Sequence, residues 1–279
     1  MIGLGSNRLS VCRRGGMSVT QAGRGGMEWL GSRVPSWVTP YSAQATAALK
    51  SEYPQYWNQI SDFGFNNPTL VPILNIAVLE DVRIMCSLIP EIGIRRYLSN
   101  TAGAYINTEY CPSSNTGFDV EFSLRLLGTR NVLGCREGWI SKAFQLSNYT
   151  GHNASGTFYF GTHPYVARMN TLNIWQTHTL RNRVYVNGEG ERATLTDEFT
   201  QSTKPIILFA AYLGDASRIM EFGELDMARC YLYEGETMVK MYVPFKKSDN
   251  TCGMIDLLTG TFKGLEGSGS FTISETPAS

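Results

Sequence analysis

Histidine is nearly missing from this 279-residue chain: there are three, His152, His163 and His178. They show neither H-x-H nor H-E-x-x-H spacing, which argues against a transition-metal site. Cysteines number six, Cys12, Cys86, Cys111, Cys135, Cys230 and Cys252, with no C-x-x-C pair. That spacing favours neither a zinc site nor a dense disulfide framework, so free and mostly buried thiols are expected. Charge is sparse too, at 17% of residues with a net of zero and a pI near 6.8, so nothing global draws the chain to nucleic acid or to an anionic membrane. The longest apolar stretch, "TLVPILNIAVLEDVRIMCSLIP", is broken by Glu80, Asp81 and Arg83, which are expensive at mid-bilayer depth. "MIGLGSNRLSVCRRGG" has no continuous apolar h-region, so synthesis in a cytosol is expected. No G-x-S-x-G elbow occurs, and neither "GRGG" nor "RRGG" sits between a strand and a helix with a phosphate-loop lysine. No cofactor, metal, nucleic-acid or membrane partner is therefore expected.

What is present divides the chain into three segments. Residues 1–33 hold eight glycines, with Arg8, Arg13, Arg14, Arg24 and Arg33 against Glu28 alone. This is a basic arm that cannot build a core by itself. Residues 34–94 carry helical grammar: Thr39-Pro40 and Asn67-Pro68 supply an N-cap followed by proline at the first helical position. Leu70, Ile73, Leu74, Ala77, Val78, Val82 and Met85 keep helical spacing, giving one apolar stripe to be packed away. From residue 95 to 279 the pattern changes to short runs rich in Val, Ile, Tyr, Phe and Thr, separated by Gly, Asn, Asp, Ser and Pro. In "FDVEFSLRL", Phe118, Val120, Phe122, Leu124 and Leu126 share one face, and Asp119, Glu121, Ser123 and Arg125 the other. The expectation is a mainly β, two-sheet antiparallel sandwich. In the closing block "VPFKKSDNTCGMIDLLTGTFKG", Gly253, Gly260 and Gly267 just beyond it are read as backbone-permissive turn positions.

The succession "RRYLSNTAGAYINTEYCPSSNTGFDVEFSL", "VLGCREG", "KPIILFAAYLGDA" and "GELDMARCYLYEGETMVKMYVPFKKSDNTCGMIDLLTGTFKGLEGSGSFTI" resembles the concanavalin A-like or laminin-G-like jelly rolls of tailed phages and prophages of gut Bacteroidales. It covers about residues 95 to 273. The opening "MIGLGSNRLSVCRRGGMSVTQAGRGGMEWL" is similar to leaders of virion proteins from such phages. The resemblance implies a jelly-roll fold and a virion location reached by assembly in the bacterial cytoplasm, with other virion proteins as partners. It implies no catalytic residues.

Relatives by fold that cleave glucans carry E-x-D-x-x-E on one strand, which makes "ELDMAR" the segment to weigh. Glu224 and Asp226 would share a face, but Arg229 stands where the third acid belongs, so the segment reads as a solvated strand face. Glycan cleavage is the alternative function and binding the preferred one. Trp139, Tyr149, Tyr159, Tyr165 and Trp175 lie among Asn, Ser, Thr and His, a mixture suited to a host surface polysaccharide. Asn148-Tyr-Thr150 and Asn153-Ala-Ser155 match the glycosylation pattern by chance. Arg8, Arg13, Arg14, Arg24 and Trp29 are the candidates for virion attachment, by extended pairing and Arg–carboxylate contacts, in a chain expected to be homo-oligomeric.

Overall fold

The computed structural model describes residues 94–128, 130–138, 142–148, 156–169, 171–214, 218–247 and 249–277. The arm, the helical segment, Trp139 and Tyr149 lie outside the described residues. The chain divides into two compact units. One comprises Tyr97–Asp256 and Thr261–Ser274; to the other belong Met1–Arg96, Leu257–Gly260 and Glu275–Ser279. Within the latter, buried Arg96 pairs with Glu275 at 2.5 Å.

The described residues are mainly β and contain no helix. Nineteen strands follow in order. The first seven are β1 (Ile94–Asn100), β2 (Ala104–Asn107), β3 (Thr116–Leu124), β4 (Asn131–Arg136), β5 (Ala143–Ser147), β6 (Thr157–Gly161) and β7 (His163–Val166). Next come β8 (Trp175–Arg181), β9 (Val184–Val186), β10 (Arg192–Thr194), β11 (Ile207–Leu208), β12 (Ala211–Leu213) and β13 (Arg218–Met220). The chain closes through β14 (Leu225–Glu234), β15 (Thr237–Lys246), β16 (Cys252–Asp256), β17 (Thr261–Lys263), β18 (Glu266–Gly267) and β19 (Phe271–Pro277). One sheet runs β10-β9-β8-β3-β14-β15-β16-β17, with β1 beside β14; the other runs β18-β2-β11-β4-β5-β6-β7, with β12 and β13 at β4. Apart from β1 with β19, the pairs among the described residues are antiparallel except for short parallel contacts of β12 with β4 and of Asn131 with Phe222.

Strand β3 shows why the sheets face each other. Phe118, Val120, Phe122 and Leu124 have no exposed surface, while Asp119 and Glu121 turn to the other face. From the opposing sheet come Phe144, Phe158 and Phe160, and Phe158 meets Phe118 and Phe144 edge-on at 5.3 and 5.7 Å and Tyr185 in a tilted arrangement at 4.7 Å. Such pairs add to the burial of the rings themselves. Cys135 and Cys230 are buried in this core, Cys111 and Cys252 are half-buried, and all four are free thiols. Burial pushes the Cys135 thiol up to about 12.

The central strand β14 contains a bulge. Met227 pairs with Phe122 and Arg229 with Glu121, leaving Ala228 without a place in the ladder. Leu225 and Met227 are buried before it, Cys230 and Leu232 after it. Of the three closing-block glycines, Gly260 has a φ of +72° and sits in a turn as expected, whereas Gly267, with a φ of +84°, is a residue of strand β18 paired with Ala104. Gly253 is needed for a different reason: a Cβ there would sit 2.3 Å from the Lys263 carbonyl oxygen.

Candidate functional site: a groove between two sheet edges

Strand β7 pairs only with β6, and β10 only with β9, so each ends its sheet. Both edges are protected from further pairing: β10 is three residues long, and β7 contains Pro164, which has no N–H to offer. Between them lies a groove of about 340 Å³ lined by Tyr165, Val166, Tyr185, Asn187, Glu191 and Arg192, among others.

Local sequence explains its shape. Tyr165 pairs across with Phe158, placing it on the core side of β7, where it packs against the hydrophobic cluster and remains partly exposed. Opposite it, "VNGEGER" turns the chain from β9 into β10. Asn187 organises that turn: its Oδ1 accepts from the N–H groups of Glu189 and Glu191, both at 3.0 Å. Its Nδ2 donates to Glu191 Oε2 at 3.0 Å and to the Val166 carbonyl at 3.4 Å, tying the turn to β7. Arg168 then donates to both Glu191 oxygens, Nε to Oε2 at 3.1 Å and Nη2 to Oε1 at 3.3 Å. Hydrogen bonds from Arg168 and then from Asn187 hold the Glu191 carboxyl below its usual range. An acid kept ionised in this way is a poor proton donor.

The floor is Tyr185, whose ring is buried and whose hydroxyl donates to His178 Nδ1 at 2.8 Å. His178 Nε2 is 3.0 Å from Gln176 Oε1, which can only accept, so the imidazole proton sits on Nε2 and Nδ1 is the acceptor. His178 has no exposed surface and stacks on Phe122 at 5.3 Å. Burial lowers its pKa to about 3, so the ring is neutral.

Of the five aromatics singled out in the sequence, Tyr165 lines this groove. Tyr159 is its neighbour but one on the β6–β7 hairpin and faces the other way, opposite Gln145 and Pro164. Trp175 belongs to the other sheet, where it pairs across with Ser123 and meets Tyr97 edge-on at 5.2 Å. Trp139, Tyr149 and the arm residues Arg8, Arg13, Arg14, Arg24 and Trp29 lie outside the described residues. Asn187, Glu191 and Arg192 were not singled out in the sequence; the Asn-Gly turn between two short β runs, followed by alternating charge, is the signal that marks them.

Elsewhere, Asp226 is engaged by Arg125 at 2.9 Å. Arg229, at the position of the missing third acid, is held between Asp119 at 3.4 Å and Glu121 at 3.5 Å. That face is an ion-pair lattice, with Asp226 carrying its own counter-charge. Asn148, of the first glycosylation-type triplet, is buried, and its Oδ1 accepts from the Gly128 N–H at 2.8 Å. His163 Nδ1 lies 2.5 Å from Asp197 Oδ1, and Thr162 donates to Oδ2 of the same carboxylate through its N–H and its hydroxyl. Among the described residues no three His, Cys, Asp or Glu side chains converge on a common point.

No protein-family model matches the chain, and no curated protein does so either.

Proposed function

We propose that the chain is a structural protein displayed on a phage virion, decorating the capsid or associated with the tail. In this reading it attaches by its N-terminal region and presents its two-sheet domain, a jelly roll, to a host surface glycan. The observation that carries the binding role is the groove between β7 and β10: an aromatic wall, Tyr165, stands beside polar groups held by an internal hydrogen-bond network. Sugars present apolar C–H faces and hydroxyls together, and a rigid ring next to fixed polar groups matches both. Support for the virion setting comes from the resemblance of the opening and closing sequence blocks. Cleavage has less behind it, because the Glu224–Asp226 segment lacks its third acid and Asp226 is neutralised by Arg125.

Calorimetric titration of the full chain with capsular polysaccharide from the phage host tests the binding role. Saturable binding without release of reducing ends is the expected result, and Tyr165→Ala should weaken it by about tenfold, on the order of 1.4 kcal/mol, with an unchanged circular dichroism spectrum. Reducing-end release would move the chain to the enzyme class. Mass spectrometry of purified virions tests the setting: the chain should be present at structural copy number, and a variant lacking residues 1–33 should not incorporate.

A further inference from the structure

Strand register sorts the lining of the groove by the face each side chain takes. Tyr165 pairs across with Phe158 and Ala193 with Tyr185, and Phe158 and Tyr185 are core residues. Cross-strand partners share a face, so Tyr165, Tyr185 and Ala193 all lie on the inner side, between the two sheet edges. Arg192 pairs with Val186, which puts its side chain on the outer face of the sheet.

The polar side chains around that inner space are already engaged. Tyr185 donates its hydroxyl to His178 on β8, which lies across β9 from β10, and leaves its ring to the groove. Asn187 uses both ends of its amide inside the turn and on the Val166 carbonyl. Both oxygens of Glu191 are taken, by Arg168 and by Asn187. The Tyr165 hydroxyl has no hydrogen-bond partner among the described residues, and it can hold a single ring hydroxyl. What remains is two aromatic rings and the methyl group of half-buried Ala193.

A side group of a sugar that enters such a space loses its water. A hydroxymethyl group brings in a hydroxyl whose burial without a partner is costly, whereas a methyl group gains from the same burial. An acetamido group brings a methyl together with an N–H and a carbonyl, which meet the same lack of partners. We infer that the groove selects deoxyhexoses, sugars with a methyl in place of the hydroxymethyl group, and packs that methyl among Tyr165, Tyr185 and Ala193. The inference rests on the glycan-binding reading above and adds the class of sugar to it.

An array of oligosaccharides of matched length tests it, each presented as the hexose, the deoxyhexose of the same configuration and the N-acetylhexosamine, and probed with the full chain. Wild-type protein should retain the deoxyhexose form about tenfold or more over the other two, the discrimination expected where a buried hydroxyl is left unpaired. Ala193→Val fills the space opposite Tyr185 with a side chain suited to a strand, and should abolish the preference while leaving retention of the hexoses and the circular dichroism spectrum unchanged. The wild-type ranking is a test without any variant. Equal retention of the three forms, a preference for the hexose or the acetylated form, or a preference that survives Ala193→Val overturns the inference while leaving the glycan-binding reading in place. Retention of no oligosaccharide at all overturns both.

Discussion

Phe158→Ala is expected to cost about 3–5 kcal/mol of folding stability, the range for deleting a buried aromatic ring. Phe158 has no exposed surface and touches Phe118, Phe144, Phe160 and Tyr185, so its removal opens a void where the two sheets meet. Those neighbours belong to separate strands whose backbones are fixed by their own ladders, and the void cannot be closed by one side chain turning. Domains are commonly stable by only about 5–15 kcal/mol, so the loss would take away a large part of the total. Urea denaturation followed by near-ultraviolet circular dichroism is the measurement, since the signal comes from the aromatic cluster itself. A midpoint shift corresponding to less than about 1 kcal/mol would mean that the two sheets do not pack through this ring.

Acid should destabilise the protein well before its carboxylates titrate, through His178. The folded ring has its pKa lowered to about 3 by burial, against 6.5 in the ordinary state. Above 6.5 both states are neutral and the histidine favours neither. Below it the unfolded chain takes up a proton that the folded chain refuses, so stability falls with pH until about 3. The slope approaches about 1.4 kcal/mol per pH unit in that window. His178→Gln removes the titrating group while offering Tyr185 an acceptor, and should flatten the pH dependence between 6.5 and about 5, where ordinary carboxylates are still ionised. His152 and His163 are present in both proteins and cancel in the comparison. Identical slopes in wild type and variant would show that His178 is protonated in the fold, contrary to its burial.

Strand β3 was legible in the sequence because one face packs and the other is polar: Phe118, Val120, Phe122 and Leu124 are buried and Asp119 and Glu121 partly exposed, although Ser123 on the polar face is buried as well and Leu126, beyond the end of the strand, is exposed. The equally central β8, "WQTHTLR", carries no such signal. Its inward positions are Gln176, His178 and Leu180, and two polar side chains satisfied by each other and by Tyr185 erase the apolar period. Strand β7, "HPYV", was hidden by its proline and its length of four residues. The candidate site was legible only through Tyr165. In a β fold, residues close in sequence point to opposite faces, so the aromatic-rich stretch sent Tyr159 away from the groove and Trp175 to the other sheet. What completes the groove comes from a turn some twenty residues further on, and only the pairing of strands brings it alongside β7.

The bulge at Ala228 gives β14 something like a change of reading frame. Up to that point the odd-numbered residues, Leu225 and Met227, face the core; beyond it the even-numbered ones do, Cys230 and Leu232. Alternation carried straight through from Leu225 would bury Arg229 and expose Cys230, the reverse of what the strand does. The extra residue is also the one whose deletion leaves every other side chain of the strand on its present face, since the ladder on either side already skips it. Variation in length along this strand is therefore cheap at one position, and a chain one residue shorter there keeps the same core.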